Sequence, residues 1–248
     1  MRRAILLGFL SLLMVVPRAS AQDSGEGMAY LAFYKIGYAD LPAWTELYHD
    51  LMTPVFQEMV DEGVITAFHA WEHLHGGEYN WRIAIRADDW SAYGDLWEIM
   101  MGRIGARDPD GLASIMSMIQ AHHDEIFQIT RANAPEGVQM AYAYDSMFQV
   151  NFGDIEAWEA LWEEHAFPAL NAAMADGTLG GWVTEMHHTG GRYNWKVIYL
   201  FEDWDTMDEF FIGMMGSLMA DPVVWGEMGA MIQAHDDIIW APVTPRGM

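Results

Sequence analysis

The chain contains no cysteine. That excludes disulfides, thiolate nucleophiles and thiolate metal ligands, so stability must come from packing. Positive charge is also scarce. Lys and Arg together number 12 against 36 Asp and Glu, for a net charge of −24. Such a surface repels nucleic acid phosphates and anionic headgroups, and no nucleic-acid partner is expected. The phosphate-loop, dinucleotide-fold glycine, HExxH and GxSxG signatures are absent, as is any spaced zinc cluster. What is abundant is apolar material. Hydrophobic residues make up 52% of the chain, ample for a core.

The one long apolar run lies at the start. Arg2 and Arg3 precede "AILLGFLSLLMVV", and "ASA" follows at Ala19–Ala21. This is the pattern of a cleavable signal peptide. The run is short for a bilayer span, and Pro17 and Arg18 interrupt its end. Residues 1–21 are therefore predicted to be removed. The mature chain would start near Gln22, be exported to the periplasm or beyond, and have no membrane partner.

Two heptads are nearly identical: "HGGEYNW" at His75–Trp81 and "TGGRYNW" at Thr189–Trp195. They lie 114 residues apart. At the same offset Tyr30 meets Tyr144, Trp44 meets Trp158, Pro54 meets Pro168 and Gly63 meets Gly177. After a single-residue gap, "MIQAH" at 118–122 meets "MIQAH" at 231–235. A period this long denotes a duplicated domain rather than a short solenoid repeat. The predicted repeats are 28–131 and 138–245, with "RANAPEG" at Arg131–Gly137 as linker.

Each repeat reads alike. An aromatic-rich strand, "YLAFYKIG", leads to Asp40 at a helix start, with Pro42 in the first turn. Apolar Trp44, Leu47, Tyr48 and Leu51 follow at helical spacing. Pro54 kinks or restarts that helix and Gly63 ends it. A hairpin comes next, with Gly76–Gly77 as its turn. A second helical stretch starts at Trp90, breaks near "ARDPDG" and is predicted to continue through His122 and His123. "EIFQIT" and "IIWAPV" are short closing strands. The order is β-α-β-β-α-β, the split βαβ of a ferredoxin-like unit. The predicted fold class is α+β. One such unit leaves a sheet face open, and two can pair to bury it.

This arrangement resembles the dimeric α/β-barrel superfamily, here as a fused pseudo-dimer of two self-pairing repeats. The stretches "MVDEGVITAFHAWEHL…EYNWRIAI" and "WEEHAFPALNAAMADGTLGGW…RYNWKVIY" carry the resemblance, which spans Met28 to Val243. In character it is nearest to NIPSNAP- and EthD-type proteins and to the monooxygenase-like members. Other members are haem-degrading monooxygenases, chlorite dismutases, dye-decolourising peroxidases, cofactor-free quinone-forming monooxygenases and lactone isomerases. The resemblance implies a small-molecule pocket between each sheet and its helices, and it does not select a reaction.

Four groups of residues are candidates for chemistry. His122 and His235 end the predicted last helices, each followed two residues on by Asp124 or Asp237. Imidazole is a metal ligand, and a carboxylate fixes its tautomer. In haem-binding members the axial histidine comes from a helix late in the domain, so haem is a possible cofactor. The alternative is a histidine favoured by a helix dipole. His73 and His187 align beside the glycine turns and could act as general bases, or bind a metal with Glu185. The alternative is a polar strand end. Tyr30, Tyr144, Trp71, Trp81, Trp195, Asn80 and Asn194 are candidate ligand contacts, with hairpin packing as the alternative for the Asn–Trp pairs. The 20 methionines could bind cuprous ion or simply fill the core. The functional expectation is an exported binder of a small apolar or aromatic molecule, with oxygenase- or isomerase-like chemistry if it is an enzyme. The alternatives are a non-catalytic ligand- or haem-binding module and a structural protein.

Overall fold

The structure, a computed structural model, describes residues 27–88, 90–135 and 140–243. The predicted signal segment, the Gln22 start, linker residues 136–137 and residues 244–245 lie outside them. The first part of the chain runs β1 (Met28–Ile36), α1 (Leu41–Leu47), α2 (Thr53–Asp61), β2 (Ala67–His75), β3 (Trp81–Ala87), α3 (Leu96–Arg107), α4 (Pro109–Met118) and β4 (Ile119–Asn133). The second runs β5 (Tyr142–Val150), α5 (Ile155–Leu161), α6 (Phe167–Asp176), β6 (Gly181–Thr189), β7 (Trp195–Phe201), α7 (Trp204–Met219), α8 (Pro222–Met231) and β8 (Ile232–Pro242).

The eight strands close into one antiparallel barrel in the order β1-β3-β2-β8-β5-β7-β6-β4. Two seams join the two parts of the chain. β2 pairs with β8, with His73 opposite Trp240. β4 pairs with β6, with Phe127 opposite His187. Closure leaves no free sheet edge.

Strand periodicity then assigns the faces. On β1, Ala29, Leu31 and Phe33 point into the barrel, where they pack with Phe127, Ala143, Met147, Ile238 and Trp240. Ala32, Tyr34 and Ile36 point outward, onto Trp44, Phe56, Met100 and Ile115 of the helices. The second part repeats this with Trp158, Trp195, Tyr199 and Phe210. The molecule therefore has a narrow interior core and two outer sheet–helix cores.

Pro54 does what its chemistry requires. Having no N–H, it cannot continue a regular ladder, and its ring would strike the carbonyl four residues back. The chain widens into a π turn at Tyr48–Met52, where the Thr53 N–H donates to the Tyr48 carbonyl, and α2 begins with Pro54 in its first turn. Trp162–Ala166 repeats this before Pro168. Such turns recur near functional sites. Gly177 ends α6 at a φ of 87°, in the left-handed region that glycine tolerates.

Two expectations are corrected. The last helix of each part stops early, at Met118 and Met231, and the strand begins at the next residue. His122 and His235 therefore lie on strands, not at helix ends. The residues after Ile119 pair with β1 almost to its end, and this long ladder outweighs the helical spacing of "LASIMSMIQAHH". Secondly, Arg131–Asn133 extend β4 along β6 and are not linker. Among the described residues, no helix is long and apolar enough to cross a membrane.

Candidate functional site

The repeated heptads are accounted for as architecture. Asn80 is buried, and its side chain acts as a strand partner. Its Oδ1 accepts from the Ile36 N–H at 2.8 Å, and its Nδ2 donates to the Ile36 carbonyl at 2.7 Å. Asn194 does the same to Val150, at 2.7 Å for both bonds. Each amide thus ties a hairpin to the end of the first strand of its part. Trp81 and Trp195 are buried in the outer cores. Gly76 and Gly77 have φ of 82° and 61°, and Gly190 and Gly191 have 86° and 60°. A methyl group on Gly76 would overlap the Asp237 carbonyl, and one on Gly190 would overlap that of Asp124. His73 Nε2 contacts the Gly76 carbonyl and His187 Nε2 the Gly190 carbonyl, so both histidines close their own turns. One nitrogen of each candidate base is thereby engaged by main chain.

Glu185 and Trp71 point into the barrel. Glu185 Oε2 lies 2.6 Å from Lys196 Nζ, with both groups buried. Lys196 Nζ also sits 4.2 Å from the centre of the Phe127 ring. At the matching place in the first part, Arg82 pairs with Asp145 of β5. Its guanidinium lies 5.4 Å from the Trp71 ring centre and 4.7 Å from that of Trp240. Buried charges need such partners, since desolvation would otherwise be prohibitive. These groups are enclosed, and the structure separates Glu185 from the outer sheet–helix clefts.

Tyr30, His122 and Asp124 do come together, on the outward face of the sheet beneath α3 and α4. His122 Nε2 is 2.8 Å from Asp124 Oδ1, and the Tyr30 hydroxyl donates to the same oxygen at 2.7 Å. The His122 ring stacks on Tyr34 at 4.7 Å and lies 5.9 Å from Trp97. Burial, reinforced by the Asp124 carboxylate, pushes the Tyr30 hydroxyl far above the ordinary tyrosine pKa. That phenol stays protonated and donates. Residues two apart share a face on a strand but not on a helix. The His-x-Asp spacing at 122–124 and 235–237 was therefore the sequence signal for both the strand and the dyad.

The second part repeats the set. His235 Nε2 lies 3.0 Å from Asp237 Oδ1, and burial, reinforced by Asp237, raises the Tyr144 pKa. Here, however, Ser146 Oγ donates to Asp237 Oδ1 at 2.6 Å, and Phe148 replaces Tyr34 as the stacking ring. Sequence reasoning missed Tyr34 and Trp97. Both also line a cleft with Trp44, Met52, Met100 and Met116. That cleft has a free volume of about 10 Å³. Among the described residues, no group of three or more His, Asp or Glu is arranged to hold a metal ion.

The chain matches no protein-family model and no curated protein. Solved structures do resemble it. A candidate monooxygenase from Fusobacterium nucleatum superposes with a TM-score of 0.63 at 8% identity, covering 89% of this chain and 94% of that one. An anthrone oxidase-like protein gives 0.56 at 8% identity, covering 90% and 93%. A variant chlorite dismutase from Candidatus Nitrospira defluvii gives 0.52 at 11% identity, covering 89% and 91%. At such identities the likeness establishes the fold.

Proposed function

We propose that this chain, which has the dimeric α/β-barrel fold, binds a small apolar or aromatic molecule in the cleft between its sheet and α3–α4. There His122 acts as a general base, in oxygenase- or isomerase-like chemistry. The observation that carries the reading is the Tyr30–Asp124–His122 set, whose imidazole lies against Tyr34 and Trp97, two of the residues lining a methionine-rich cleft. Asp124 holds the imidazole and would stabilise its protonated form once His122 has taken a C–H or O–H proton from the ligand. Tyr30 shares the charge of Asp124 through its donated hydrogen bond. Met52, Met100 and Met116 line the cleft, and their unbranched thioether chains can move aside to admit a ring. The Tyr144–Asp237–His235 set is the weaker copy, because Ser146 draws on the same carboxylate oxygen.

The same reading takes the two parts of the chain as fused ferredoxin-like repeats, joined at the β2–β8 and β4–β6 seams. It takes the mature protein as exported after cleavage behind Ala21. Haem does not fit these residues. The space beneath α3 and α4 is about 10 Å³, so a ligand enters only as the methionine chains move aside, and a macrocycle would need far more such movement than a small ring. In addition, the Nε2 nitrogens of His122 and His235 face carboxylates.

The anthrone oxidase-like neighbour suggests the probe, a tricyclic ketone with an acidic C–H. Anthrone should quench tryptophan fluorescence saturably and be converted with dioxygen to anthraquinone and water above the buffer rate. Exchange of His122 for Gln should lower turnover by ~10²-fold or more while binding persists. The tightness of the cleft favours a second reading, in which the site binds or is purely structural. Saturable quenching without turnover would support a binding module. Neither quenching nor turnover would leave both Tyr–Asp–His sets as structural ties between neighbouring strands.

A further inference from the structure

A second cavity, of about 280 Å³, opens at the end of the barrel beside the β6–β7 hairpin. It lies against the end of β5, the turn at Gly191 and the start of β8, away from the His122 cleft. Its volume is close to the ~300 Å³ at which small-molecule pockets begin.

The basic residues of the lining are Arg192 and His187, and the His187 Nε2 is engaged by the Gly190 carbonyl. The guanidinium lies 4.9 Å from the centre of the Tyr193 ring and makes no ion pair among the described residues. Around it stand the amides of Gln149, Asn151 and Gln233, while Phe152 adds an exposed ring. Gln233 Nε2 donates to Asn151 Oδ1, which fixes these two amides against each other. At the hairpin the matching position of the first part has the opposite sign, whereas on the first strand it adds a cation. Glu78 stands where Arg192 does, and Lys35 where Gln149 does. A carboxylate at that hairpin would reject an anion that Arg192 would accept.

We propose that this cavity is a binding site for a small carboxylate with an apolar body. Arg192 donates two parallel N–H bonds to the carboxylate, the geometry for which a guanidinium is suited. An amide of Gln149 or Gln233 satisfies a remaining lone pair. The body of the ligand lies on Tyr193 and Phe152. The site is independent of His122 and recognises charge where the other cleft recognises apolar shape.

The test uses the full mature chain with benzoate, phenylacetate and hexanoate as probes and benzyl alcohol as the uncharged control. Side-chain N–H resonances of Arg192 are followed by NMR, and affinity by calorimetry. At least one carboxylate should shift the Arg192 resonances saturably, and benzyl alcohol should bind at least tenfold more weakly. Arg192→Gln should weaken the carboxylate tenfold or more, Arg192→Lys should restore part of the affinity, and Arg192→Glu should abolish binding. Arg192 is exposed, so none of these changes should disturb folding, and an unchanged melt checks that. Equal affinity in wild type and Arg192→Gln would overturn the proposal. So would the absence of any Arg192 shift with all three carboxylates.

Discussion

Residues 28–133 and 142–242 share their scaffold and differ in their interior. Both place an asparagine across the end of a strand, a glycine pair against a facing carbonyl, and a Tyr–Asp–His set on the outer sheet face. Inside the barrel the matching positions diverge. Arg82 corresponds to Lys196, Trp71 to Glu185 and Leu31 to Asp145. In the first part a cation lies between two indoles and takes its carboxylate from β5 of the other part. In the second a cation takes its carboxylate from the adjacent strand, with Glu185 directly opposite Lys196. What the copies share is what each needs to form its hairpin. What they do not share is the barrel interior, where a single space is filled from both sides and each buried cation finds its carboxylate in a different place.

The largest effect should come from breaking that interior. Arg82→Ala strands the Asp145 carboxylate in the barrel and should lower unfolding free energy by about 3–5 kcal/mol in denaturant titrations. Combining Arg82→Met with Asp145→Leu, which copies Leu31 of the other part, should recover most of the loss. If the double variant is as unstable as Arg82→Ala, the pair is more than a matched burial of charge. The hairpin clamps should be smaller and equal. Asn80→Ala and Asn194→Ala each leave a buried main-chain N–H and C=O unpaired, costing about 1–3 kcal/mol. Unequal losses would show that the shared scaffold is not equally used.

The phenols give a pH dependence. Burial raises Tyr30, Tyr34, Tyr144 and Tyr199 above their ordinary value, and Tyr48 is pushed up to about 12. The folded state therefore holds protons that the unfolded chain releases. Stability from this source is complete below pH ~10 and declines as pH rises beyond it. The slope of unfolding free energy between pH 10 and 11.5 should be negative, and shallower in Tyr199→Phe. Smallest is Tyr30→Phe at neutral pH. It removes one donor from a carboxylate that keeps His122, at a loss of about 1 kcal/mol.

Much of the architecture could be read in the sequence. The Gly–Gly hairpins, the Pro54 and Pro168 interruptions and the glycine helix end at Gly177 follow from backbone chemistry that tertiary context rarely overrides. The length of β4 and β8 was not legible, because their first residues continue an apolar helical spacing and only the ladder with β1 or β5 makes them strands. The site was half legible. Tyr30, Tyr144, His122 and His235 are recognisable as chemistry-bearing types, but their convergence depends on that strand assignment. Trp71, Trp81, Asn80 and Glu185 drew notice for the same reason of type. They serve instead as packing, clamp and ion pair, roles set by partners far away in the chain.

Proton abstraction by His122 is open to a direct measurement. Anthrone deuterated at its acidic carbon should lose the label to water faster with wild-type protein than in buffer. His122→Gln should remove at least ~10²-fold of that acceleration. His235→Gln should keep at least half of it, because Ser146 already competes for Asp237. Label loss as fast in His122→Gln as in wild type would contradict the central claim.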